Sequence, residues 1–154
     1  RNEKQKIMNK TYKNIVEQFK DLATRHKMVN SFNSGDIYDV NFDDENKSPI
    51  YPYVHLVPQP SQMLENEMLF VFNLIVMDMV DTEFANYYDI QSDCIQIVQD
   101  IIFEFKGQNQ TEQILDPTSF NVFTERFNDE VSGANATITL SIPQEINICE
   151  NPFE

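Results

Sequence analysis

The chain has 154 residues, with 25 acidic and 11 basic side chains and a net charge of −14. That length suits one domain closed by apolar burial alone, and the acid excess argues against nucleic-acid binding, which matches phosphates with Lys and Arg. The three glycines stand too far apart to cradle a phosphate. Cys94 and Cys149 have no framework spacing and no signal-peptide pattern precedes them, so folding in a reducing, cytosolic compartment is expected.

Charge is unevenly placed. Residues 1–27 hold 8 basic and 3 acidic side chains, and residues 28–154 hold 3 and 22. A basic arm precedes an acidic body. Within the arm, Met8, Tyr12, Ile15, Val16, Phe19, Leu22 and Ala23 recur at three and four, which predicts an amphipathic helix over about residues 7–27. Its outer face carries Lys10, Lys13, Glu17, Lys20 and Asp21, readable as a solvated face or as one that docks on acid.

Residues 28–32 and 37–42 read as one strand bent at Gly35, since Gly inside a strand pattern marks a bulge or bend. A polar loop over 43–48 precedes Tyr51-Pro52-Tyr53-Val54-His55-Leu56-Val57-Pro58. This alternating run has prolines at 52, 58 and 60, so its ends belong at a sheet edge or beyond the pairing. A short return over 61–66 leads into Met68 to Val80, MLFVFNLIVMDMV, where both alternating sets are apolar. Its 13 residues with Asn73 and Asp78 inside fall short of the roughly 20 needed to span a membrane. At about 3.3 Å per residue the run predicts a core strand about 40 Å long, covered on both faces.

Beyond an irregular stretch, Ile90, Cys94, Ile97, Val98, Ile101, Ile102 and Phe105 mark a second helix of about 17 residues. Asp89 or Ser92 is its expected N-cap and Gly107 its C-terminal stop. A polar connection over 108–119 leads to a hairpin, 120–127 with 134–142, turning through an acidic loop that contains Gly133. Ile138, Leu140 and Ile142 alternate with Thr137, Thr139 and Ser141, giving that strand one dry and one wet face. Residues 143–154 scatter Ile146, Ile148, Cys149 and Phe153 among polar neighbours, the texture of an arm that orders on a partner.

No catalytic set converges. Cys94 sits on an apolar helical stripe, as a buried structural thiol does, and two separated histidines make a zinc site improbable. The acidic run Asp36, Asp39, Asp43, Asp44 and Glu45 could hold a hard cation, but it lacks the spacing and glycine of a calcium loop.

From about residue 10 to 150 the order of elements resembles the tail-terminator and tail-completion proteins of tailed bacteriophages. The features that carry the resemblance are Val29-Asn30-Ser31-Phe32 with Gly35-Asp36 after the first helix, Tyr51-Pro52-Tyr53-Val54-His55-Leu56 entering the hairpin, and Leu140-Ser141-Ile142-Pro143 leading to Ile148-Cys149. The resemblance implies an α+β fold: one domain over 1–142, a mostly antiparallel sheet with two long helices packed on one face, and an extended C-terminal arm over 143–154.

It also implies a structural virion protein, not an enzyme, made in the host bacterial cytoplasm and needing no metal, cofactor or membrane. Such a protein forms an oligomeric ring at the head–tail neck, touching portal and tail proteins and lining a passage for DNA that it does not specifically bind. In that setting Leu69, Val71, Ile75 and Met77, with Lys10, Lys13 and Lys20, are the expected subunit contacts. Asp78, Asp81 and Glu83 are the expected channel-facing acids, and Ile146, Ile148, Cys149 and Phe153 the docking residues of the arm. Two alternatives stand beside it: a monomeric cytosolic interaction domain whose first helix covers the second face of the long strand, and a small metal-dependent enzyme using the Asp36 to Glu45 loop.

Overall fold

The computed structural model describes residues 11–36, 49–81, 86–109, 111–126 and 130–144. Two helices and six strands follow the order α1 (Tyr12–Arg25), β1 (Ser31–Ser34), β2 (Tyr53–Met63), β3 (Glu67–Met79), α2 (Tyr87–Gln108), β4 (Gln113–Ile114), β5 (Ser119–Arg126) and β6 (Glu130–Pro143). The fold is α+β, with both helices on one face of a mostly antiparallel sheet. Among the described residues no helix is long and apolar enough to cross a membrane.

The sheet order is β1-β2-β3-β6-β4, with β5 also on β6. β3 pairs β6 along its whole length, from Glu67↔Pro143 to Met79↔Val131. The short β4 and the longer β5 therefore share the other edge of β6, at Leu140–Ser141 and at Glu130–Thr137. Only β1 pairs in parallel, through Ser31↔Tyr53 to Ser34↔Leu56. Past Leu56 the outer edge of β2 has no described partner, and Pro58 and Pro60, which cannot donate to a ladder, fall there as their chemistry requires.

α1 begins at Tyr12, five residues later than periodicity predicts. Thr11 has extended backbone, with φ −72° and ψ 162°, and forms a reciprocal capping box with Asn14. Positions 7–10, Lys10 among them, lie outside the described residues. α2 runs 22 residues, longer than expected, from an Asn86 N-cap that makes no side-chain cap bond. It ends at Asn109, whose backbone N–H and Nδ2–H both donate to Phe105 O. Gly107 therefore sits inside the helix and does not stop it. Gly133, expected in a loop, lies within β6 opposite Met77. A Cβ there would come 2.9 Å from Met77 Cα and run into the Val76 carbonyl oxygen, so close strand approach, not a turn, demands the glycine.

β1 ends at Gly35, whose φ of 123° suits only glycine. The second half of the expected bent strand, 37–42, lies outside the described residues. The polar connection after α2 hides an element with no periodic signature, the two-residue β4.

The main core lies between helices and sheet. Ile15, Phe19, Leu22 and Ala23 of α1 and Ile97, Ile101 and Phe105 of α2 meet Phe72, Leu74 and Val76 of β3 and Ile138, Leu140 and Ile142 of β6. Each of these large side chains is worth about 1.5–3 kcal/mol of burial. Thr137, Thr139 and Ser141 face the other way and are at least partly exposed, so the dry and wet faces of β6 stand as expected.

Candidate functional site

Strand alternation and register define a second face, turned away from both helices. β3 contributes Leu69, Val71, Asn73, Ile75 and Met77; β2 places Tyr53, His55, Val57 and Gln59 alongside, and β6 places Ser141, Thr139, Thr137, Asn135 and Gly133. The expectation of a strand covered on both faces holds at one end only. There Met77 packs with Tyr53 and Val131 in a small second core, with Tyr51, Ile75 and Phe123 against it. Towards the start of β3, Leu69 and Val71 are only half-buried, and no described helix covers them. Met77, 2 % exposed, is thus buried within the chain's own fold, while Leu69, Val71 and Ile75 are only partly covered. Thr137 Oγ1 donates to Asn73 Oδ1 at 3.0 Å across this face, so the one polar residue that β3 places in this apolar row is hydrogen-bonded.

α1 lies on the opposite face, beside α2. Covering of the second face by the first helix, the mark of the monomeric alternative, is not what the fold does.

His55 is fully buried at the β2 end of the second face. Its Nε2 contacts the carbonyl oxygens of Gly35 at 3.1 Å and Asp36 at 3.3 Å, and carbonyls only accept, so Nε2 carries the proton. Nδ1 then accepts the Tyr53 hydroxyl at 2.6 Å. This pair ties the Gly35 turn to the sheet. Of the acidic run proposed as a cation site only Asp36 is described, and it is exposed; 37–45 lie outside.

A second histidine pair joins the helices. His26 Nδ1 accepts Met28 N–H at 3.1 Å, and Nε2 donates to Asp100 Oδ2 at 2.8 Å. That bond, helped by Gln96, holds the Asp100 carboxyl below its usual range. Arg25, Glu104 and Leu22 surround the pair in a shallow hollow whose described lining holds no Ser, Thr, Cys or Lys.

The expected channel acids separate. Asp78 is half-buried below the start of α2, where burial and then the neighbouring Asp93 carboxylate raise its pKa against the opposing hydrogen bond from Met79 N–H. Asp81 is exposed, its N–H donating to Asn86 Oδ1 at 3.0 Å, and Glu83 lies outside the described residues. Of the basic residues, Lys13 is well exposed beside Glu17 and Lys20 is exposed. The arm residues Ile146, Ile148, Cys149 and Phe153 lie outside the described residues.

A feature the sequence did not announce is a groove of about 330 Å³ between α2 and β5. Ile95, Ile102 and Phe103 of α2 form one wall, Phe120 of β5 the other, and Ala134 and Ala136 of β6 the floor. Phe103 is 59 % and Phe120 55 % exposed. A Lys106–Asp116 ion pair of 3.1 Å stands at its rim, and the buried Oγ1 of Thr118 in its wall has no hydrogen-bond partner among the described residues. The signal was present as Ile95, Gln99, Phe103 and Lys106, a stripe at intervals of three and four beside the core stripe of α2. Among the described residues, no cluster of three or more His, Cys, Asp or Glu could hold a metal ion.

No protein-family model matches the chain, and no curated protein matches it.

Proposed function

We propose that the chain is a structural protein of a tailed-bacteriophage virion, forming an oligomeric ring in the head–tail neck or at the top of the tail. The observation that carries this reading is the uncovered part of the second sheet face. Leu69, Val71 and Ile75 sit on a long central strand, both helices are spent on the other side, and only the Met77 end is closed within the subunit. Apolar strand residues left half-open in one subunit suit a heterologous contact with the next, and such contacts close into rings when the rotation permits.

The net charge of −14 per chain, multiplied around a ring, suits a passage from which DNA is repelled, with Asp81 and Glu83 as wall residues and Asp78 set back beneath α2. The arm beyond Pro143 docks on another molecule of the assembly.

Native mass spectra and negative-stain images of the purified protein, alone and with virion extract, test the reading. Closed rings, weakened when Leu69→Lys and Val71→Lys are introduced with circular dichroism unchanged, are the expected result. A strict monomer at high concentration that cross-links to no neck protein in particles would favour the monomeric interaction domain.

A further inference from the structure

β5 is an edge strand. One side pairs with β6 from Ser119↔Thr137 to Arg126↔Glu130, and among the described residues its other side pairs with nothing. An open edge exposes a row of backbone donors and acceptors that a further strand can satisfy. Here the edge adjoins the α2/β5 groove, so a strand added to β5 would set alternate side chains beside the exposed Phe120 and Val122, on the α2 side of the sheet. The added segment therefore needs apolar residues two apart.

Ile146 and Ile148 have that spacing, flanked by Glu145 and Glu150. Their own chain cannot supply them. Gln144 N–H donates to Asn66 O at 2.8 Å, which fixes the departure of the arm at the β2–β3 turn. Along β6, Gln144 is eight residues from Ala136, about 27 Å at strand rise. Ile146 and Ile148 lie two and four residues past Gln144, within about 7 and 14 Å of it even when fully extended.

We propose that residues 145–150 of one copy add as a strand to the free edge of β5 in a neighbouring copy, placing Ile146 and Ile148 against Phe120 and Val122 at the mouth of the α2/β5 groove. The inference rests on the ring reading and names the occupant of the arm's docking site. Arm and body are both acidic, so the contact is apolar and backbone-driven against a charge repulsion that salt screens. Added salt should strengthen it, opposite to a contact held by the Lys13 and Lys20 face.

The test uses the full chain with a benzophenone side chain at position 147. Isotopically heavy and light protein are mixed in the dissociated state and then assembled, photolysed and digested. Heavy–light cross-links from position 147 to residues 119–126 are expected, to be lost in the Ile146→Asp, Ile148→Asp double variant, whose helix and strand signal should be unchanged. Cross-links confined to chains of one isotope would mean docking in cis and overturn the proposal. Intact rings whose arm cross-links elsewhere, or only to a different virion protein, would overturn it and leave the ring reading standing. A monomer under all salt conditions would overturn both.

Discussion

Phe19 of α1 stacks on Phe105 of α2 with ring centroids 4.8 Å apart and planes 10° from parallel, and both side chains are fully buried. This contact joins the helices above the middle of the sheet, where Phe72 of β3 also meets Phe19 at 6.0 Å. Phe105→Ala should cost about 3–5 kcal/mol, because the cavity opens where three elements converge. Urea unfolding measures the loss. A double-mutant cycle with Phe19→Leu should return a coupling of about 0.5–1.5 kcal/mol, the worth of an aromatic pair beyond its burial.

Two glycines should respond in opposite directions to the same substitution. Gly107 lies within α2 with nothing within 4 Å of an added Cβ, so Gly107→Ala should stabilise by about 0.5–1 kcal/mol through helix propensity. Gly133→Ala drives a methyl into the Val76 carbonyl and must part β6 from β3, at about 1–3 kcal/mol or more. Thermal melts of the two variants should fall on either side of the parent.

The Asp100 carboxyl is held low chiefly by the hydrogen bond from His26. An acid whose pKa falls on folding adds stability that is present above its unfolded value, about 3.9, and is lost as pH drops through the folded value. The pair is partly exposed, so its contribution should be under about 1 kcal/mol. Asp100→Asn should flatten the acid limb of the stability curve below about pH 4. His26→Gln should move the Asp100 carboxyl resonance towards an ordinary titration, and an unchanged midpoint would exclude the His26 bond as the cause.

The Cys94 thiol is buried on the core-facing side of α2. Burial first, then the charges of Asp78 and Asp93, push its pKa from 9.0 to about 12. In a Cys149→Ser background, maleimide should leave the folded protein unmodified at neutral pH and label it only on unfolding. The raised value makes stability full below pH 9.0 and progressively lost as pH climbs towards about 12. Cys94→Ala should remove that alkaline slope.

Legibility followed locality. The apolar stripes of both helices, the 13-residue central strand and the alternating faces of β6 could be read directly, because a side chain's face depends on periods of 3.6 or 2 along the chain itself. Cys94 was legible as buried from its place in a stripe. Helix ends were less so. Thr11 and Asn109 bound the helices through specific hydrogen bonds to backbone atoms, and for α2 Asp89, Ser92 and Gly107 offered competing ends.

Pairing and layering were decided only in three dimensions. Apolar alternation on β3 said that both faces avoid water, but α1 and α2 share one face because Phe19 and Phe105 stack there. The other face is closed at one end by Tyr53, Met77 and Val131, which are remote in sequence. β4 has two residues and no period, and it exists because Leu140 and Ser141 offer it an edge. The groove and the free edge of β5 arise from the same non-local choice: β6 spends one side wholly on β3 and divides the other between two short partners. A periodic pattern states which way a side chain points. Which chain segment meets it depends on contacts tens of residues apart, and those are fixed by the competition of whole elements for the same core.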